Sequence, residues 1–459
     1  MQDNSTIEEQ GDHLYGVSRE LSKEIEQLLE HNDFTRVQGL IEELHAADVA
    51  DLIKSLNSEN RRYFIEAIKS TINADVLAEL DDSSRRDVLD ILNPKEIADV
   101  VSDLESDDAF YLIEDLKEDQ QKEVLNAIPA NERAILEEVL TYPGESAGRL
   151  MQREMVCVPT FWSVQEAIQF IQNTDVLPDS FYNIFVVDPR HHPIGQIALS
   201  KLLKYPGKTL VSDILDTNLH RIPVTEDQEE VAALFKHYGL VSAPVIDGSG
   251  RIVGMITVDD VVDVIEEEAE EDIMHMAGVA ESDFNESVLK TSYWRIRWLI
   301  VTLVNTLLAA FVISQFEVSI QKITALSFLM TINAAMGGNS GMQVVTVVVR
   351  GLATRSIRDG DTWRAVSKEV MVGLMTSGFF SLILGVIAAF WIQDIYIGVV
   401  LAVALIFNML WAAFAGTLFP IIIDRLGLDP AISAGPILTT TTDVLGYATF
   451  LGLATTFLL

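Results

Sequence analysis

Ala434-Gly-Pro-Ile-Leu-Thr-Thr-Thr-Thr-Asp443-Val-Leu-Gly-Tyr447 opens an apolar run that continues to Leu459 and holds one carboxylate in its middle. A charge inside a bilayer costs several kcal/mol, so such a residue is expected to face water, an ion or a polar partner. With threonine oxygens on one side and a glycine on the other, Asp443 reads as part of a cation pathway. A polar contact between helices is the plainer alternative.

Working back from Asp443, four more stretches reach the roughly 20 apolar residues that a bilayer requires. The five run Trp298–Phe316, Ala325–Val349, Val370–Ile392, Ile397–Ile423 and Ala434–Leu459. Lys290, Arg295 and Arg297 precede the first. Arg350, Arg355, Arg358, Arg364 and Lys368 follow the second, whereas the loop after the first offers only Lys322. The positive-inside rule then puts the N-terminal part in the cytoplasm and the C-terminus outside. In the second span, Met336-Gly-Gly-Asn339-Ser-Gly341-Met-Gln343 interrupts the apolar run. Such glycines bring backbone close to backbone or to a pore, and Asn339 supplies a carbonyl oxygen.

The soluble part is acidic and carries almost all of the formal net charge of -36. That favours cations as partners and argues against nucleic acid. The single cysteine, Cys157, excludes an internal disulfide and fits a reducing compartment. There is no signal-peptide pattern at Met1, and no nucleophile–base set or phosphate loop that would mark an enzyme.

Residues 1–20 are polar and unpatterned, the expected disordered N-terminus. Over 21–145 a short helical phrase recurs, beginning at His45, Asn73, Pro94 and Ser106. Apolar residues fall three and four apart, which predicts an all-α solenoid-like domain with an acidic outer face. Over 146–258 the pattern becomes strand–helix–strand, twice. Val156–Pro159, Ser163–Ile171, Asn183–Asp188 and Ile194–Leu199 are echoed by Arg221–Val224, Asp227–Phe235, Ser242–Asp247 and Ile252–Asp260. This α/β repeat resembles a tandem CBS module, carried most specifically by Gly254-Met-Ile-Thr257-Val-Asp-Asp260. Such modules bind adenine nucleotides between their repeats, which would place Thr257 and Asp260 on ATP. A purely structural pair is the other reading. His191 and His192 read as exposed turn residues.

Residues 259–292 are expected to form one acidic connecting helix. Asp259, Asp260, Asp263, Glu266, Glu267, Glu268, Glu270, Glu271 and Asp272 have no neighbouring Lys or Arg. Like charges one turn apart repel, and all-oxygen ligands favour Mg²⁺ or Ca²⁺ over Zn²⁺. Divalent cations are the economical counter-charge.

Taken whole, the chain resembles the bacterial MgtE magnesium channel family. Tyr142-Pro-Gly-Glu-Ser-Ala147-Gly148-Arg-Leu-Met151, the CBS pair, the acidic connecting ("plug") helix, Gly337–Gln343, Arg350–Arg355 and Asp429-Pro-Ala with Thr442-Asp443-Val-Leu-Gly446 all match. The resemblance implies a homodimeric, multi-pass inner-membrane Mg²⁺ channel with a five-helix membrane domain over 293–459. Asp443 would hold hydrated Mg²⁺ with its symmetry mate, and Gly338 and Asn339 would line the pore. Glu317 would lie at its outer mouth and Asp429 at its cytoplasmic end. Asp260, Asp263, Glu268, Glu271 and Asp272 match regulatory positions of the connecting helix, and Glu229 matches one in the second CBS repeat. Gly239 stands where an acidic ligand is expected, and Asp107 and Asp108 are the candidate N-domain bridge. The expected device is negative feedback, in which cytosolic Mg²⁺ bridges these acids and closes the pore. A coupled secondary transporter of divalent cations and a membrane-anchored Mg²⁺ sensor are the alternatives.

Overall fold

The computed structural model describes residues 17–459 except 32, 43, 70, 71, 73, 175, 176, 179, 280–287, 358, 359 and 361. The disordered start expected for residues 1–20, the repeat phrase's Asn73 and the loop's Arg358 therefore fall wholly or partly outside it. Two compact units divide inside one helix, between Ile265 and Glu266.

The first unit opens with short helices: α1 (Arg19–Glu30), α2 (Phe34–Ile41), α3 (Ala46–Ser55), α4 (Ser58–Ile68), α5 (Ala74–Ala78), α6 (Asp82–Leu89), α7 (Pro94–Asp103), α8 (Ser106–Glu114), α9 (Glu118–Ala127) and α10 (Ala130–Val139). Their starts follow from local chemistry. Ser18, Asp33, Asn57 and Asp81 each accept a bond from a first-turn N–H. Asn93 forms a capping box with Glu96, with Pro94 in the first helical position. Helices this short are marginal alone. They stand because Ile25, Leu52, Phe64, Ile97 and Phe110 pack into one core from which water is excluded.

After α11 (Ala147–Leu150) the two α/β repeats follow. The first has β1 (Cys157–Pro159), α12 (Val164–Asn173), β2 (Asn183–Val187), β3 (Pro193–Ala198), α13 (Leu199–Leu202) and α14 (Val211–Ile214). The second has β4 (Ile222–Pro223), α15 (Gln228–Tyr238), β5 (Ser242–Ile246) and β6 (Ile252–Thr257). Each sheet has a parallel first pair and an antiparallel second pair. A bulge recurs at the same place in both, at Val186/Val187 and Val245/Ile246. The repeats touch at equivalent positions, where Asn183 Nδ2 donates to Ser242 Oγ over 3.0 Å. The Tyr142–Met151 phrase has a structural reason. Ala147 and Gly148 donate backbone bonds to Glu226 and Val224, and a Cβ on Gly148 would come within 2.8 Å of the Val224 carbonyl.

Helix α16 (Val258–Met276) carries the acidic band and stops before Gly278, whose φ of +71° suits glycine. The helix is thus shorter than the 259–292 connecting segment. The second unit then contains α17 (Val288–Ser314), α18 (Glu317–Lys322), α19 (Ala325–Ala353), α20 (Thr362–Ile392), α21 (Ile395–Arg425) and α22 (Pro430–Leu458). Among the described residues, three helical segments are long and apolar enough to cross a membrane: Thr291–Ser314, Thr362–Ile392 and Ile395–Arg425. α19 and α22, each 29 residues, have the length. Their glycine–asparagine and threonine–aspartate blocks lower the mean hydropathy. The expectation of five spans thus rests on length plus composition for three helices and on length for two.

Large apolar side chains on α17 and α20 point outward, among them Leu303, Phe311, Met375 and Phe390, as a lipid-facing surface requires. Helix contacts run through small residues. A Cβ on Gly373 would meet Ala413 at 2.7 Å, and one on Gly398 would meet Ala389 at 2.8 Å and strike the Gly385 carbonyl.

Candidate functional site

Two groups of predicted residues are brought together, one in each unit. In the first unit, α8 and the start of α16 face each other. Asp107 is 5% exposed and lies in the first turn of α8, where its Oδ1 accepts from the Asp108 amide over 3.0 Å. Asp260, in the first turn of α16, accepts from Thr257 Oγ1 over 2.6 Å. Burial raises the carboxyls of this cluster, and like charges add to it. Asp107 is driven well above the ordinary range by burial, then by Asp260 and Asp108. Asp260 is pushed up to about 7 by burial and Asp259, with the Thr257 bond opposing. Asp108 reaches about 6 through burial, with Arg85 opposing.

Sequence reasoning missed Glu105, the residue before α8, whose carboxyl rises to about 7 through burial and through Glu154 and Asp108. It accepts from Gln152 Nε2 over 2.7 Å. Ser106 donates from both N and Oγ to Glu154. Arg149 pairs with Glu114, and Arg153 pairs with Glu138 over 2.9 Å. Metal-free ties therefore already join the helical domain to the α/β repeats, beside a patch of acids that repel one another. No pattern in one sequence announces such pairings, because the partners lie 15 to 48 positions apart.

In the second unit, Asp429 caps α22. Its Oδ1 accepts from the Ala431 amide over 2.7 Å, and Pro430 occupies the first helical position. His275 Nδ1, near the end of α16, lies 3.1 Å from Asp429 Oδ2, while its Nε2 lies 3.5 Å from Glu271. Asp272 beside them is raised by burial and then by Asp429, with His275 opposing. Among the described residues no three His, Cys, Asp or Glu form a ready-made metal cage. Asp263 and Glu229 are exposed, Glu268 is partly buried, and Glu317 is exposed while accepting from Gln321. Gly239 ends α15 at φ +61°, a conformation that suits a glycine cap better than an acid.

Further along α22 stands Asp443, half-buried, one turn before the buried Gly446. The threonines that precede it do not offer their hydroxyl protons to a pathway. Thr439, Thr440, Thr441 and Thr442 bond back to carbonyls three or four residues earlier in their own helix. Asn339 is exposed on α19 and Gly338 has open space where a Cβ would be. Thr257 and Asp259 line a cleft of 30 Å³, together with Glu105, Tyr182 and Ser242. That volume suits a water and not a nucleotide, whose site needs roughly 300 Å³ or more.

The chain's relatives settle its family. Three family models match: the MgtE intracellular N domain over 44–145, CBS domains over 147–208 and 211–267, and the MgtE divalent cation transporter over 330–453. Magnesium transporter MgtE of Thermus thermophilus is 31% identical over 95% of this chain and 98% of its own length. The chain belongs to the MgtE family. The Bacillus subtilis magnesium transporter MgtE is 27% identical over 94% of this chain and 96% of its own. A solved cytosolic domain of the Mg²⁺ channel MgtE in complex with ATP is 28% identical, with a TM-score of 0.49. It covers 53% of this chain and 99% of that one. Membership of this transporter family, with the apolar helices of the second unit, makes the chain a multi-pass membrane protein.

Proposed function

We propose that the chain is a Mg²⁺ channel that admits the ion passively and closes when cytosolic Mg²⁺ is high. The observation that carries this is Asp443, a half-buried carboxylate on a long apolar helix. Mg²⁺ dehydrates reluctantly and is well held through its own waters by few carboxylates, so one Asp443 from each of two subunits suffices. Gly338 and Asn339 line the approach on α19, with Glu317 outside and Asp429 at the cytoplasmic end. Relatives named magnesium transporters over nearly the whole length support Mg²⁺ as the cargo.

Gating rests on the raised carboxyls. At low Mg²⁺ the acids of α8 and α16 repel. Bound Mg²⁺ neutralises Asp107, Asp108 and Asp260, with Asp263 one turn after Asp260 and Glu229 in the second repeat, and at the far end of α16 it joins Glu268, Glu271 and Asp272 to Asp429. Several weak sites acting together supply the differential affinity that a swing between states demands, about 5.5 kcal/mol for 1:99 to 99:1. ATP enters as a modulator only if the cleft beside Thr257 opens, since Glu105 and its Gln152 bond close it. We place the protein as a homodimer in the inner membrane, N-terminus in the cytoplasm.

The test is Mg²⁺ influx into proteoliposomes with low internal Mg²⁺ and no other gradient, for the native protein and Asp443→Ala. Native flux that the substitution abolishes is the expected result. Equal flux in both removes Asp443 from the path. Native flux that appears only with an imposed proton or sodium gradient makes the protein a coupled carrier, and none under any gradient makes it a sensor.

A further inference from the structure

The helix bundle buries two asparagines that the cation pathway does not use. Asn333 on α19 and Asn408 on α21 are both 0% exposed. Asn333 Nδ2 donates to the Gly446 carbonyl of α22 over 2.8 Å. Asn408 Nδ2 donates to the Asn333 carbonyl over 2.9 Å. Three helices are thereby pinned at one level. Among the described residues, the Oδ1 atoms of both amides have no hydrogen-bond partner.

The space around Asn408 is shaped for it. A Cβ on Gly446 would come within 2.6 Å of Asn408 Nδ2, and one on Gly337 would collide with the same atom. Leucine has the same branched heavy-atom skeleton and no amide oxygen to leave unpaired, so the pair costs stability relative to an apolar core. A single buried asparagine in a coiled coil fixes register at a similar cost. Here the register concerns the two helices that carry the pathway residues. Gly446 lies three residues after Asp443, about 60° away around the helix, and Gly337 directly precedes Gly338 and Asn339. A rotation of α22 by about 20° would swing a carboxylate about 6 Å from its axis by about 2 Å. That is enough to change how a hydrated cation is held.

We infer that Asn408 and Asn333 form a register lock that sets the height and rotation of α22, and so act as positioning residues for cation selection at Asp443. This rests on the reading of Asp443 as the ion-holding group. In proteoliposomes, Asn408→Leu is expected to keep or raise the thermal midpoint, because it removes a buried unpaired acceptor, Asn408 Oδ1, for the loss of one hydrogen bond. The KM for Mg²⁺ should nevertheless rise at least fivefold, and the Mg²⁺-over-Ca²⁺ rate ratio should fall at least threefold. A merely structural role would move the midpoint and leave both transport readouts within twofold of native, which overturns the inference. If Asn408→Leu does not assemble, Gly446→Ala displaces the same amide and must shift KM and the ratio in the same direction, or the lock is rejected. Failure of the channel reading shows separately, as absence of native flux. In that event the lock is read by thiol modification of Asp443→Cys in a Cys157→Ser background. Adding Asn408→Leu should change the modification rate at least threefold, and an unchanged rate refutes it.

Discussion

Asp107 is the residue on which the proposed response of the soluble unit to pH and to cations turns. It is buried, it faces Asp260, and its carboxyl is driven upward by that burial. Burial pushes the carboxyls of Glu105, Asp108 and Asp260 beside it up to about 7, 6 and 7, against about 4 in an unfolded chain. A carboxyl whose folded pKa is raised contributes stability that is full below its unfolded value and is lost as pH climbs through the folded one. Without divalent cations, docking of the helical domain on the repeats should therefore weaken between about pH 4 and pH 7. Limited proteolysis of the full protein should accelerate over that range, and millimolar Mg²⁺ should flatten the profile. Asp107→Asn keeps the acceptor for the Asp108 amide and removes the charge. It should stabilise docking at pH 8 without Mg²⁺ by about 2 kcal/mol, seen as slower cleavage. Faster cleavage would mean that the charge is compensated by groups other than a cation.

At the scale of elements, glycines let the backbones of α20 and α21 approach closely at their seam. Gly398 sits against the Gly385 carbonyl and Ala389. In lipid the drive to associate is close packing itself, because apolar surface gains nothing by leaving hydrocarbon. Gly398→Val overpacks that seam and should cost about 1–3 kcal/mol, lowering the thermal midpoint in detergent. Gly452→Ala, where nothing lies within 4 Å of the added methyl, should leave it unchanged. Equal effects would place the stability of this pair elsewhere than in the small-residue contact. α16 is an element of another kind. One end carries the Thr257–Asp260 bond and the other sets His275 against Asp429.

For the whole molecule the prediction concerns feedback. Asp107→Asn, Asp108→Asn and Asp260→Asn together remove the charges whose mutual repulsion is proposed to oppose closure. Inhibition of flux by cytosolic-side Mg²⁺ should then need about tenfold lower concentration, the equivalent of about 1.4 kcal/mol. A dose–response curve overlying the native one would detach these acids from gating.

The sequence by itself determined much of this. Periodicity gave the helical domain, the duplicated strand–helix–strand units and the apolar helices, because amphipathic period and segment length are local properties that burial enforces residue by residue. The N-caps at Asp33, Asn57 and Asn93 were equally local. Asp443 was legible because a lone charge in an apolar run is conspicuous wherever the chain folds. The tertiary structure decided which groups meet. Glu105, Gln152 and Glu154 read as ordinary polar residues until α8 docks, and only docking removes the water that would keep the Glu105 carboxyl in its ordinary range. Asn333 and Asn408 are 75 positions apart and look like polar interruptions of two apolar helices. Their pairing depends on how α19, α21 and α22 close-pack, a long-range geometry that no local pattern encodes.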